Sequence, residues 1–413
     1  MIRIASYRLQ HFRNIRSAEL VFDNYNVIIG TNNSGKSNFI QSFGFLNYIL
    51  YSASEEVTAS FRNGFRGTSY SNALPNNWII TEDAEAIPAI SAELEFENTE
   101  TNRKFTYYIR IRYRISERSR LPIFYIDSES FRYKENGKTG APVRIFARHE
   151  NEVQYGSDFP KFKFENGVPD TFSLVRVLQL SSGSNEAYTD AQQCLSQVLK
   201  TPVFYFSHTE LTKNDSTDRL GLYNGRVVAF DLESEVLNLE KGENWDIFKS
   251  ALYNVLGIED VNVVRFYMGD KQKTNQEEIK FLRFRHASSL KTLKELSDGS
   301  ILLIALIVKV LNSDHDIFFI EEPENSTHPK ALMDLVAFLK SFSENKQFII
   351  TSHSIVLLNK SKLEEIITSR TTAMGMSEFE NVSSRKELKT RLRSGSSSFA
   401  DELFFEQTEE EFD

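Results

Sequence analysis

The sequence holds a single cysteine, Cys194, in 413 residues, which excludes an intramolecular disulfide framework and any zinc site built on paired cysteines. It has no long hydrophobic run: the longest, Ile301 to Val308, is far too short to cross a bilayer. It opens Met1-Ile2-Arg3-Ile4-Ala5 without the apolar stretch of a signal peptide. No sustained heptad appears between Tyr51 and Leu290, so a long coiled-coil arm is not expected, and no internal repeat is evident. These absences predict a soluble, cytoplasmic protein with no membrane partner. The length predicts two to three domains.

Positive charge is also short overall, with a formal net charge of −9, but its location matters. Asp401, Glu402, Glu406, Glu409, Glu410, Glu411 and Asp413 supply seven of those nine charges, leaving the first 400 residues at −2. Net charge therefore does not exclude a nucleic acid as partner. What is present is ordinary globular composition, 40% hydrophobic and 25% charged.

Alternation of apolar and polar positions over the first 23 residues predicts a hairpin with its turn at His11 to Ser17. An apolar strand at Tyr25 to Ile29, a Gly-rich turn and a helix from Lys36 to Leu50 follow. Tyr51 to Ala84 reads as a loop-rich excursion. Ser91 to Glu97, Phe105 to Ile115, Ile123 to Tyr133 and Val143 to Ala147 alternate as strands. Helices are expected at Asn185 to Leu199 and Trp245 to Val255, with a strand at Val203 to Ser207 between them. Val261 to Tyr267 and Ile279 to Arg285 read as a strand pair. The chain then alternates: helix Ser300 to Leu311, strand Ile317 to Ile320, helix Lys330 to Phe342, strand Phe348 to Thr351, then a helix, a strand and a basic segment. Strand–helix–strand order predicts a parallel sheet with helical crossovers.

Gly30-Thr31-Asn32-Asn33-Ser34-Gly35-Lys36-Ser37 fits a phosphate-binding loop and stands between an apolar strand and a helix. Glycines let backbone N–H groups converge on an anion at a positive helix N-terminus. Lys36 would neutralise β/γ-phosphate charge, and the Ser37 hydroxyl would ligate Mg²⁺. At Ile317 to Glu324 an apolar strand delivers two carboxylates at its C-terminal end. Glu321 suits Mg²⁺, and Glu322 suits polarising the attacking water. Leu296-Ser297-Asp298-Gly299-Ser300 precedes an apolar helix, where a serine before a glycine reads equally as an ordinary N-cap. His353 stands just past an apolar strand, where a plain structural role is the commoner one.

The order of these elements resembles an ABC-type ATPase head of the RecF, SMC and overcoming-lysogenisation-defect branch. The residues that carry the resemblance are Leu9 to Ile15, Gly30 to Asn38, Leu296 to Ser300, Ile320 to Glu324 with His328-Pro329, and Thr351 to Ser354. The resemblance implies an α/β P-loop NTPase fold with a mixed or parallel sheet and a β-rich plus helical insertion. Residues 1–50 and 291–370 would form the two halves of the head, 51–290 an insertion, β-rich then helical, that partly contributes to the head, and 371–413 a basic segment with an acidic tail. It implies ATP and Mg²⁺, with ATP sandwiched in a homo-oligomer, at least a dimer. Gly30, Asn32, Asn33, Ser34, Gly35, Lys36, Ser37, Asn38 and Arg13 would bind nucleotide, and Ser297 and Gly299 of a second subunit would reach the γ-phosphate. Glu322 would act as base, with His353 sensing or stabilising the γ-phosphate and Glu321 joining Ser37 at the metal. Two positions depart from the family: Glu321 replaces the usual Asp, and Ser300 replaces the usual Gln.

No nuclease domain fits in the 60 residues after His353, so an effector such as a nuclease would be a separate chain. The resemblance extends to ATPase subunits of the PARIS and Septu anti-phage systems. The alternative is a RecF-like DNA-repair factor that binds DNA with ATP. Arg110, Arg112 and Arg114 alternate with Ile109, Ile111, Tyr113 and Ile115, within a basic stretch that runs from Arg103 and Lys104 to Arg118 and Arg120. This is either a solvated sheet face or a surface for DNA or a DNA-mimicking acidic protein. Arg385 to Arg393 is basic, and Phe399, Leu403, Phe404 and Phe405 in the tail are flexible or dock on a partner.

Overall fold

A computed structural model describes residues 1–51, 89–115, 122–150, 152–157, 168–180, 185–205, 232–268 and 277–384. The excursion beyond Tyr51, Arg118, Arg120, the side chain of Arg114, the basic 385–393 stretch and the acidic tail lie outside the described residues. In chain order the elements are β1 Ile2–Phe12, β2 Ile15–Val21, β3 Tyr25–Ile29, α1 Lys36–Tyr51, β4 Ile90–Asn98, β5 Arg103–Ile115, β6 Pro122–Glu135, β7 Val143–His149 and β8 Glu152–Tyr155. Next come α2 Leu174–Leu180, α3 Glu186–Leu199, β9 Val203–Tyr205, α4 Leu232–Glu240, α5 Trp245–Leu256, β10 Asp260–Met268, β11 Glu277–His286 and β12 Ser289–Lys291. The chain ends with α6 Asp298–Asn312, β13 Ile317–Glu321, α7 Pro329–Ser341, β14 Gln347–Ser352, α8 Ile355–Asn359, β15 Ile366–Thr371 and β16 Ser377–Asn381. Among the described residues no helix is long and apolar enough to cross a membrane.

Two compact units emerge, the first formed by Met1–Pro202, Asp316–Phe319 and Asn345–Asp413, the second by Val203–His315 and Ile320–Glu344. The first unit is organised on one mixed sheet in the order β8-β7-β6-β5-β4-β1-β2-β16-β15-β3-β14-β13. β3 is flanked on both sides by parallel neighbours, β14 and β15, and all five of its residues are buried. Four of the five are apolar or aromatic, as a strand covered on both faces requires, and the buried Asn26 is satisfied by the Asp23 backbone at 2.9 and 2.6 Å.

The β-rich stretch 90–155 continues the same sheet by antiparallel pairing of β4 to β1, with Tyr7 opposite Leu94 and Leu9 opposite Ala92. Sequence alternation missed β8, which has only four residues. Within this stretch the buried Glu129 accepts from the Tyr107 and Ser173 hydroxyls and from the backbone N–H of Leu174 at the start of α2. A buried carboxylate persists only when so satisfied.

The first hairpin corrects one expectation: Phe12 pairs with Ile15, so the turn is Arg13-Asn14 rather than His11 to Ser17. Gln10 lies opposite Ser17 on the exposed face, where polar residues do not end a strand. Beyond α8 the structure has a hairpin, β15 and β16, where a single strand was expected. α1 packs on the sheet through Phe39, Phe43 and Phe45, whose rings meet Tyr7, Phe12, Phe22, Phe319 and Phe379. Each such buried aromatic contributes about 1.5–3 kcal/mol, which fixes the helix start relative to β3.

The second unit pairs β10 with β11 and β11 with β12, all antiparallel. Its buried helix α6 packs on α4, and Asn312 donates to the backbone and carboxylate of Glu235. Lys309 reaches the same carboxylate at 3.5 Å, while its burial lowers the ammonium pKa.

Candidate functional site

β3 leads straight into the glycine loop, and the space around both glycines excludes any side chain. A Cβ at Gly30 would lie 2.1 Å from the Ser369 carbonyl oxygen and 2.7 Å from Ser34 Oγ. A Cβ at Gly35 would lie 2.4 Å from Ser377 Oγ, and Gly35 has φ +89°, which glycine adopts without strain. Asn33 takes a left-handed φ of 67°, which asparagine tolerates. Thr31, Asn32 and Asn33 are exposed at the loop tip, whereas Ser34, Gly35 and Lys36 are buried and Ser37 and Asn38 half-buried.

Lys36 opens α1, and its ammonium donates to the Gly30 carbonyl at 2.9 Å and the Thr31 carbonyl at 2.8 Å. The first turn of α1 contains no acidic residue, so the positive helix end is not neutralised from within. A cradle closed to side chains, a lysine folded over it and a helix start with no acidic residue in its first turn together fit a phosphate group.

The Arg13-Asn14 turn stands against this helix start. Arg13, with φ 52°, donates from Nη1 to Asn38 Oδ1 at 2.8 Å and to Gln41 Oε1, and its guanidinium lies 5.5 Å from the Phe12 ring centroid. Asn14 accepts from Asn38 Nδ2 at 2.6 Å. On the opposite side of β3, Ser352 of β14 is in register with Ile29, so exposed His353 emerges at the same sheet end as Gly30. Ser354 caps α8 by accepting from the Val356 N–H at 3.2 Å. The first unit thus brings together the loop, Arg13 and the strand end that carries His353.

In the second unit, Ser297 is the N-cap of α6, accepting from the Ser300 N–H at 3.3 Å and pairing hydroxyls with Ser300 at 2.8 Å. Just before it, Glu295 bonds the Thr292 N–H and hydroxyl, and those bonds hold its carboxyl below the usual range. Gly299 is buried in the first turn, while Ser297 is exposed.

Glu321 is buried at the end of β13, two residues along the chain from Phe319 of the first unit. Glu322 has φ 48°, a left-handed conformation that costs a non-glycine residue about 1–3 kcal/mol. Asn325 holds it there, donating from its backbone to the Glu322 carbonyl at 3.1 Å and from Nδ2 to Oε2 at 2.7 Å.

Arg110 and Arg112 lie elsewhere. They are on β5, six strands along the sheet from β3, and both guanidiniums face Asp127 at 3.5 and 3.3 Å. Sequence reading gave no role to Asn14, Gln41, Ser369, Ser377 or Asn325. Asn14 was within reach because it adjoins Arg13 in the opening motif; no local pattern marks Ser369 or Ser377.

Residues 25–359 match the family model described as "AAA domain, putative AbiEii toxin, Type IV TA system". Among solved structures, the chain is similar to an SMC head bound to the C-winged helix domain of ScpA, at 11% identity over 91% of this chain and 97% of that one, TM-score 0.48. It is similar also to the SMC head domain from Thermotoga maritima, at 14% identity over 92% and 98%, TM-score 0.42. A third is an Smc head with an extended coiled coil bound to the C-terminal domain of ScpA derived from Pyrococcus furiosus, at 10% identity over 95% and 100%, TM-score 0.46. No curated protein matches the sequence.

Proposed function

The chain belongs to this AAA-domain family of P-loop ATPases, and from that premise we propose that it is a nucleotide-switched subunit of a bacterial anti-phage defence complex. Its ATP hydrolysis would control a separate effector such as a nuclease. The observation that carries the ATP reading is the closed glycine cradle with Lys36 held over it at an acid-free helix start.

In this reading Lys36 and the loop N–H groups bind the β- and γ-phosphates, assisted by Asn32, Asn33, Ser34 and Asn38. The Ser37 hydroxyl and Glu321 carboxylate suit a hard divalent cation, and Mg²⁺ when bound neutralises phosphate charge. Glu322 takes a proton from the water whose oxygen attacks the γ-phosphorus, and ADP leaves with the bridging oxygen. The left-handed backbone at Glu322 and its bond to Asn325 support this role, because strain held in place by its surroundings collects at reactive positions. Ser297 and Gly299 of a second copy close on the γ-phosphate, and His353 senses it. The partners are therefore a second copy of the chain and the effector.

Glu322→Gln tests the chemistry. Its ATP turnover is expected to fall by a factor of about 10² or more, with an ATP-bound oligomer persisting in light scattering. Turnover at the parent rate removes Glu322 as the base. For the defence role, phage plating on cells carrying the chain with its genomic neighbours is expected to show protection that Lys36→Ala abolishes. Protection unaffected by that change removes the defence reading.

A further inference from the structure

Residues to which no motif assigns a role hold the phosphate loop in shape. Asn14 donates from Nδ2 to Ser377 Oγ at 2.7 Å, accepts at Oδ1 from Asn38 Nδ2 at 2.6 Å, and accepts the Ser377 N–H at its carbonyl at 2.6 Å. One asparagine thereby joins the turn after β1, the first turn of α1 and the start of β16. Ser377 in turn closes on Gly35, leaving 2.4 Å to a built Cβ, and Ser369 closes on Gly30 while its hydroxyl meets Ser34 Oγ at 2.6 Å. Asn38 is gripped from both ends of its amide, since its Oδ1 takes Arg13 and its Nδ2 gives to Asn14.

We propose that Asn14, Ser369 and Ser377 are positioning residues of the nucleotide site, and that Asn14 makes the Arg13 turn and the phosphate loop one mechanical unit. Resting on the ATP reading above, this names how the same site is set. The loop binds through several backbone N–H groups that must converge on one anion, so a shift at Gly35 or at the helix start weakens all of them together. Coupling is reciprocal: nucleotide that orders the loop also orders the turn that carries Arg13. These residues do not supply a proton or a charge to the γ-phosphate. Their loss therefore moves nucleotide affinity and KM while leaving kcat nearly unchanged.

The test uses the full chain with Asn14→Ala, Ser377→Ala and the double variant, titrated with a fluorescent ATP analogue and assayed for ATP hydrolysis, with thermal unfolding recorded alongside. Each single change is expected to weaken nucleotide binding about fivefold, the worth of one net hydrogen bond. The double variant is expected to be weaker than either single by no more than about twofold, because both remove the same bridge. Single variants that bind nucleotide as the parent does, or effects that multiply in the double, overturn the proposal. If Asn14→Ala does not fold, Ser377→Ala and Ser369→Ala decide on the same readout. Lys36→Ala separates the two levels: intact nucleotide binding in that variant sinks the ATP reading, whereas its loss beside unaffected Asn14 and Ser377 variants sinks only the positioning role.

Discussion

The phosphate loop of the first unit and the Ser297 turn of the second are both serine- and glycine-containing starts of a helix, yet they are held in opposite ways. The loop is braced from far along the chain: Ser34 bonds Ser369, 335 residues away, and Asn14 bonds Ser377, 363 residues away. The Ser297 turn is held by bonds that span three residues, Ser297 to Ser300 and Thr292 to Glu295. The Glu322 corner is likewise held by Asn325, three residues on. Long-range bracing ties the loop to β15 and β16. Local capping produces a turn that forms with its helix and leaves Ser297 exposed. The first arrangement suits a site that must hold a ligand unaided, the second a surface that meets something else.

The largest difference between the two helix starts is expected from Lys36→Ala, which leaves the Ser34–Ser369 and Asn14–Ser377 bonds in place and removes the cation of the loop. Nucleotide binding is expected to vanish in an ATP-analogue titration, a larger effect than any change around the Ser297 turn should produce. Next in size is Gly30→Ala. The added Cβ would meet the Ser369 backbone at 2.1 Å, so β15 or the loop must move, at a cost of about 1–3 kcal/mol by denaturant unfolding. Unchanged stability would show that the brace yields easily and the loop is less rigid than argued.

Smaller still is Ser297→Ala. It removes one N-cap oxygen, worth about 1 kcal/mol, and is expected to lower stability slightly without changing nucleotide affinity of the isolated chain. If it weakened that affinity as much as Ser377→Ala, the two helix starts would not differ in the way proposed here.

How much of this was legible beforehand follows the same division. The glycine loop was readable because four residues of fixed type, Gly30, Gly35, Lys36 and Ser37, stand at fixed spacing between a strand and a helix. The Glu321-Glu322 strand end is a weak signal alone and drew notice only through its order after the phosphate loop. Ser369 and Ser377 were not readable, since a serine that packs on a glycine some 340 residues away leaves no local pattern. The β15–β16 hairpin escaped because β16 has five residues, with polar ones on the exposed side of a mixed sheet. The Arg13-Asn14 turn was placed too broadly because a strand's exposed face tolerates the polar residues that also signal turns. Alternation did find β4 to β7, but not that β4 pairs with β1, since pairing partners are not encoded by period alone.

The smallest expected effect concerns the arginine strand, where the alternation of Arg110 and Arg112 with isoleucines left two readings. Both guanidiniums face the carboxylate of Asp127, whose side chain is only 15% exposed, so one negative charge already offsets half of their positive charge. A strand built to track phosphates would present its arginines to solvent, whereas these are 40% and 29% exposed and turned toward β6. The Arg110→Ala/Arg112→Ala double variant is therefore expected to lose no more than about 1 kcal/mol of stability. Its affinity for duplex DNA, followed by fluorescence anisotropy at low salt, should match the parent's within about twofold. Salt-dependent duplex binding by the parent that disappeared in this variant would reverse the assignment and make β5 a nucleic-acid surface. In that case the ion pairs to Asp127 would have to open when the phosphate backbone competes for the same guanidiniums.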